Sequence, residues 1–243
     1  MAELTPMMKQ YFEIKNKNKD YILFYRLGDF YEMFFEDAKL ASRELELTLT
    51  GRDCGQEERA PMCGVPYHSA ESYIAKLVRK GYKIAICEQV EDPKLAKGLV
   101  KREIVRRVTP GTVVEASMLE EGRNNFLGCV YAEQGGIGVC FADITTGEVW
   151  ATGSDSWQEI ASEFGRFAPR EVLVGGVAAT ADAFLGFLKE RLEALIEPMP
   201  DDCFETQRAS ERIRSHFGIE DFDAEGLTDL PQTIQCLGGL PDY

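Results

Sequence analysis

Between Thr109 and Asn124 the chain loses every regular spacing of apolar residues. Thr109-Pro110-Gly111-Thr112 stops the strand-like run Glu103 to Val108, and polar, irregular sequence follows. This break divides the 243 residues into two domains, and 44% apolar residues can supply a core for each. We set the first domain at 1–115, a linker at 116–124 and the second domain at 125–243. Charge divides at nearly the same place: residues 1–116 hold 19 Lys+Arg against 18 Asp+Glu, and residues 117–243 hold 8 against 23. The net charge of −14 therefore belongs almost wholly to the second half, and it does not exclude a polyanionic partner for the first.

Local spacing assigns the elements. Thr5 followed by Pro6 caps a helix from Met7 to about Lys17. A strand over 21–27 leads into an aromatic cluster, and Phe34, Ala38, Ala41 and Leu45 make the apolar stripe of a helix near 33–46. The alternation from Glu44 to Thr50 predicts a short strand and 51–59 a polar loop. Ser69 caps a helix that ends at Gly81, and strands follow at 82–90 and 103–108. In the second domain, strands at 125–132, 137–143 and 147–152 have hairpin spacing, with turns at Gln134-Gly135-Gly136 and Thr145-Thr146-Gly147. Helix 155–166, strand 171–174 and helix 181–192 come next. Three hairpin-linked strands followed by an αβα run open an RNase H-like α/β domain. Residues 202–217 read as a helix, and 226–243 as a linker or the start of a further element.

Several chemistries are disfavoured. The seven Cys form no CxxC pair, and neither His68 nor His216 stands at zinc-ligand spacing from a Cys, so free thiols in a reducing cytoplasm are expected and no metal site. No apolar stretch approaches the roughly 20 residues that span a bilayer. No GxxxxGK[ST] phosphate loop occurs.

The most informative stretch is 21–35, YILFYRLGDFYEMFF. If Phe30 to Glu32 is extended, the Phe30 ring and the Glu32 carboxylate share a face and Tyr31 turns to the other. A ring beside an acceptor suits a wedge that enters a base stack and hydrogen-bonds the base it disturbs. Other readings of the same residues are a core aromatic for Phe30, and for Glu32 a charge that complements a helix N-terminus. Gly28 fits a turn with positive φ that also lets backbone approach a ligand closely. Cations placed to hold phosphates are Arg52, Lys76, Lys101, Arg102, Arg106 and Arg107.

With these residues the chain resembles the MutS family of bacterial mismatch-repair proteins. Gly28-Asp29-Phe30-Tyr31-Glu32 matches the family's mismatch-binding motif, supported by Pro61 to His68 (PMCGVPYH), Ala85 to Gln89 (AICEQ), Val105 to Thr112 (VRRVTPGT) and Asp143 to Glu148 (DITTGE). The resemblance implies a mixed-sheet α/β mismatch-recognition domain followed by an RNase H-like connector domain. It implies that Phe30 stacks on a mispaired or unpaired base from the minor groove and that Glu32 hydrogen-bonds it. Leu27, Gly28, Arg52, Lys76, Arg102 and Arg106 complete the expected DNA contacts. The implied partners are mismatched or looped duplex DNA, MutL through the connector, and a second copy in the full-length protein. Family members continue into lever, clamp and ATPase regions, so the chain is expected to be an N-terminal part of a larger cytoplasmic protein, without enzymatic activity or cofactor. ATP and Mg²⁺ are expected only for the ATPase.

Two alternatives stand beside this reading. The acidic second half would suit a protein-interaction fragment without DNA binding of its own. An Asp on an early strand of an RNase H-like fold would suit a metal-dependent nuclease, with Asp143, Glu148 and Asp182 as its available acids; Asp143 in a turn sequence is equally a turn-stabilising side chain.

Overall fold

Thr5 accepts a hydrogen bond from the Met8 N–H (3.4 Å) and Pro6 takes the first helical position, which starts α1 (Pro6–Asn16). The computed structural model describes residues 3–91 and 98–243, and the chain forms two units that divide between Pro110 and Gly111.

In the first unit a six-stranded mixed sheet has the order β3-β4-β2-β1-β5-β6. Its strands are β1 (Ile22–Leu27), β2 (Phe30–Phe34), β3 (Thr50–Arg52), β4 (Ala60–Pro66), β5 (Ile84–Gln89) and β6 (Arg102–Val108). β1 runs parallel to β5, and the other pairings are antiparallel. Helix α1 lays Met8 and Tyr11 on the sheet face that carries Leu23, Tyr25, Phe34, Ala85 and Cys87. The opposite face takes α2 (Phe35–Leu45), where the Cys63 thiol reaches the Ala38 carbonyl, and α3 (Ala70–Arg79) lies beside α2.

Four expectations change here. The aromatic cluster forms strand β2, and the helix begins only at Phe35, whose φ of +53° turns the chain from one to the other. Of the strand expected over Glu44 to Thr50 only Thr50 is strand, as the first residue of β3, because Leu45 is buried as the last residue of the α2 stripe and Glu46 closes that helix in the left-handed region. The polar loop 51–59 begins inside β3, and the whole of β4 follows it unannounced. Ser69 precedes α3, yet its hydroxyl bonds back to the Pro66 carbonyl (3.2 Å) rather than capping the helix.

The second unit holds a five-stranded sheet of order β11-β10-β7-β8-β9. β7 (Phe126–Glu133), β8 (Gly136–Asp143) and β9 (Glu148–Ser154) form an antiparallel meander, and β10 (Glu171–Gly176) and β11 (Leu195–Pro198) add in parallel beyond β7. This is the RNase H-like arrangement that the strand spacing predicts. On one face α4 (Trp157–Phe167) and α5 (Asp182–Arg191) bury Val130, Val139, Phe141, Phe164 and Phe184. On the other, α6 (Thr206–Arg212) and α7 (Pro231–Gly239) cover Leu127, Leu173 and Phe204. The stretch 226–243 is therefore not a linker: α7 lies on the sheet with Ile234, Cys236 and Leu237 buried. The helix expected over 202–217 is regular only in α6. Residues before β7 also belong to this unit, since the Gly111 N–H donates to the buried Glu171 carboxylate (2.8 Å) and Arg170 pairs with Glu120.

Candidate nucleic-acid interface

A two-residue turn, Gly28-Asp29, joins β1 to β2, with Leu27 facing Phe30 across the ladder. Gly28 has φ +58°, a conformation that side-chain-bearing residues resist, and a Cβ there would meet nothing within 4 Å, so glycine is required by the backbone rather than by crowding. Beyond the turn the Phe30 ring is 46% exposed while Tyr31, next in the strand, is buried. The alternation puts Phe30 and Glu32 on one face, as extended geometry requires.

The tip is braced from beneath. The Tyr31 hydroxyl makes a short hydrogen bond to Glu88, and burial first, then that bond, pushes its pKa up to about 12. Arg26 donates to the Gly28 carbonyl (2.6 Å), pairs with Glu88 (3.4 Å), and stacks its guanidinium 3.7 Å from the centre of the Tyr67 ring. Tyr67 is itself half exposed, and its N–H bonds the Asp29 carbonyl at 2.9 Å. Neither Arg26 nor Tyr67 stands out in the sequence. Their proximity to the turn in the chain and in the PYH run was the available signal.

Glu32 is not free. Its carboxylate takes an ion pair from Arg52 at 2.5 Å, with the Glu32 side chain 15% exposed and the Arg52 side chain 38%. Strand pairing explains the geometry. Glu32 faces Gly64 on β4, where a Cβ would come within 3.4 Å of the Glu32 side chain, so the missing side chain leaves a path across β4 to Arg52 on β3.

The basic candidates do not form one surface. Arg102 is buried: it donates to the Arg26 carbonyl (2.8 Å), Gln10 (3.0 Å) and the Val100 carbonyl (2.9 Å) and lies over the Tyr25 ring. Arg102 is an internal strut, which corrects its assignment as a phosphate contact. Arg107 is bonded to Asn18 and Lys101 is paired with Glu103. Arg106 is paired in register with Ile86, on the face opposite Phe30, and Lys76 is exposed on α3. Leu27 is half-buried at the end of β1. Of the expected contacts, Leu27, Gly28, Phe30, Glu32 and Arg52 lie together, whereas Lys76, Arg102 and Arg106 do not join them.

In the second unit Asp143 is buried at the end of β8. It accepts from the Thr145 hydroxyl (2.6 Å) and from the N–H groups of Thr145 (2.9 Å) and Asn125 (3.0 Å). Burial alone would raise its pKa, but these bonds hold the carboxyl below the usual range. Glu148 faces it across the ladder with its carboxylate bonded to Asn124 and Trp150. Among the described residues no three acidic groups at Asp143 approach within ion-sharing distance, so Asp143 acts as a turn clamp and a nuclease centre finds no support.

Comparison with known proteins also gives two parts, with the first reaching a few residues beyond Pro110. MutS domain I matches residues 5–117 and MutS domain II matches residues 125–243. Proteins named DNA mismatch repair protein MutS from Acetivibrio thermocellus, Lachnoclostridium phytofermentans and Caldicellulosiruptor bescii are 53%, 48% and 50% identical over 100%, 100% and 98% of this chain. The chain covers 28%, 26% and 27% of their respective lengths, about a quarter of each. The chain belongs to the MutS family and comprises its domains I and II.

Proposed function

We propose that this chain is the flaw-reading part of a mismatch-repair protein. Phe30 enters a mispaired or looped step from the minor groove and stacks on a base, and Glu32 hydrogen-bonds that base. The observation that carries this reading is the exposed Phe30 ring, held at the tip of a hairpin whose base is fixed by Tyr31, Arg26 and Glu88.

A correctly stacked duplex resists insertion, whereas a mismatched step has already lost part of its stacking and pairing energy and kinks more cheaply. Unstacking costs a few kcal/mol per step, and a ring on a base returns about 1–3 kcal/mol. The balance turns on the flaw and not on sequence. Arg52 neutralises the carboxylate that phosphates would otherwise repel, so Glu32 approaches DNA as half of an ion pair. The second unit connects to the remaining regions found in the longer relatives and docks MutL. ATP hydrolysis, with its Mg²⁺, and dimerisation belong to those regions.

At low salt, fluorescence anisotropy with a G·T or one-base-loop duplex and a matched homoduplex tests the reading. The wild-type chain should favour the flawed duplex and Phe30→Ala should abolish the preference while keeping homoduplex affinity within about twofold. Equal binding of both duplexes by a folded wild-type chain would leave the acidic unit's role in protein contacts as the better account.

A further inference from the structure

We propose that Cys129, Cys140 and Cys236 form a binding site for a soft divalent d¹⁰ cation of the zinc–cadmium class, buried between the sheet and α7 of the second unit. The three sulfur atoms lie within 4.8 Å of one another, and Cys140 and Cys236 are 3.4 Å apart. All three residues have no solvent exposure. Chain distance hides the group from any reading of spacing: Cys129 and Cys140 are direct cross-strand partners on β7 and β8, and Cys236 comes down on them from α7.

Thiol sulfur selects soft ions over Mg²⁺ and Ca²⁺, which need oxygen ligands. With metal–sulfur bonds of about 2.3 Å, three sulfurs around one ion sit about 4 Å apart, so the observed spacing needs only small rotations to close on it. Leu127, Leu173, Ile234 and Leu237 pack around the group. Sulfur ligates as thiolate, so M²⁺ plus three thiols gives the tris-thiolate complex M(SR)₃⁻ and three protons.

Cys54, Cys63, Cys87 and Cys203 are buried too, yet among the described residues they belong to no group of three within ligand distance, so they serve as internal controls. Burial alone makes a cysteine a small hydrophobe. What distinguishes the triad is convergence of three sulfurs on one point. Binding must lift α7, so it is slow in the cold and adds to stability once made.

The test incubates the reduced chain with Cd²⁺ just below its melting temperature, removes loose metal by chelation and desalting, and measures Cd per chain, the sulfur-to-cadmium absorption band, proton release and Tm. The expected result is one Cd per chain, proton release on binding, and a raised Tm. Cys236→Ala and Cys140→Ala should each cut retention at least tenfold, with Cys63→Ala unchanged. Retention below a tenth of an equivalent by the folded wild-type chain would overturn the proposal, as would retention equal to the wild type's by both triad variants. The wild-type measurement decides the matter even if a triad variant fails to fold.

Discussion

Phe30 gives up burial that its neighbours take. A phenylalanine fully removed from water contributes about 1.5–3 kcal/mol, and Phe24 and Phe34 in adjacent strand positions are wholly buried while Phe30 is not. Two tyrosines behind the tip make a prediction about pH. Burial pushes Tyr25 up to about 12, and burial with the Glu88 bond does the same for Tyr31, against 10.0 for the free phenol. The folded chain keeps protons that the unfolded chain releases, so stability is intact below pH 10 and falls as pH rises from 10 towards 12. Thermal melts across that window should show the decline, and Tyr31→Phe should make it shallower. The residue scale also marks the limit of sequence reading. Arg102 and Arg52 have the same charge and the same expected role, but only folding shows that one is tied to backbone carbonyls and the other to Glu32.

Elements were legible where their faces are one-sided. The stripes of α1 and α2, the meander β7–β9 and the strand–helix alternation after it all follow from periodicity. Some failures have glycine and proline as their cause, read as punctuation where they lie inside an element. β4 contains Pro61, Gly64 and Pro66, whereas β11 is missed because it is only four residues long. The stretch 226–243 reads as a linker or the start of a further element, and it is the second: Gly238 is where α7 meets Ala209 of α6, within 2.6 Å of a would-be Cβ. On the sheet side a Cβ at Gly138 would fall 2.1 Å from the Gln232 backbone. Gly138→Val should therefore displace α7 and destabilise the second unit by about 3 kcal/mol, near the upper end of overpacking costs. Chemical denaturation would read this directly. A change under about 0.5 kcal/mol would mean that α7 is not seated as described.

For the whole molecule, charge and length set the strength of any DNA contact. The first unit is near neutrality, and of the six candidate phosphate contacts Arg102 is internal while Arg52, Arg107 and Lys101 are already partnered. A plot of log affinity against log salt should have a slope no steeper than about −3, corresponding to roughly three phosphates. A slope near −6 would mean more than six phosphates neutralised and would contradict this. The relatives are almost four times as long, so this slope concerns the present chain alone. The central claim concerns one ring and one weakened step in the duplex. It is tested most directly by 2-aminopurine placed next to a mispair, whose fluorescence reports local stacking. On adding the wild-type chain at saturating concentration, the signal should change at the mispair and not in a matched duplex, and Phe30→Ala should leave both unchanged. The same change with Phe30→Ala, at equal occupancy, would contradict the account.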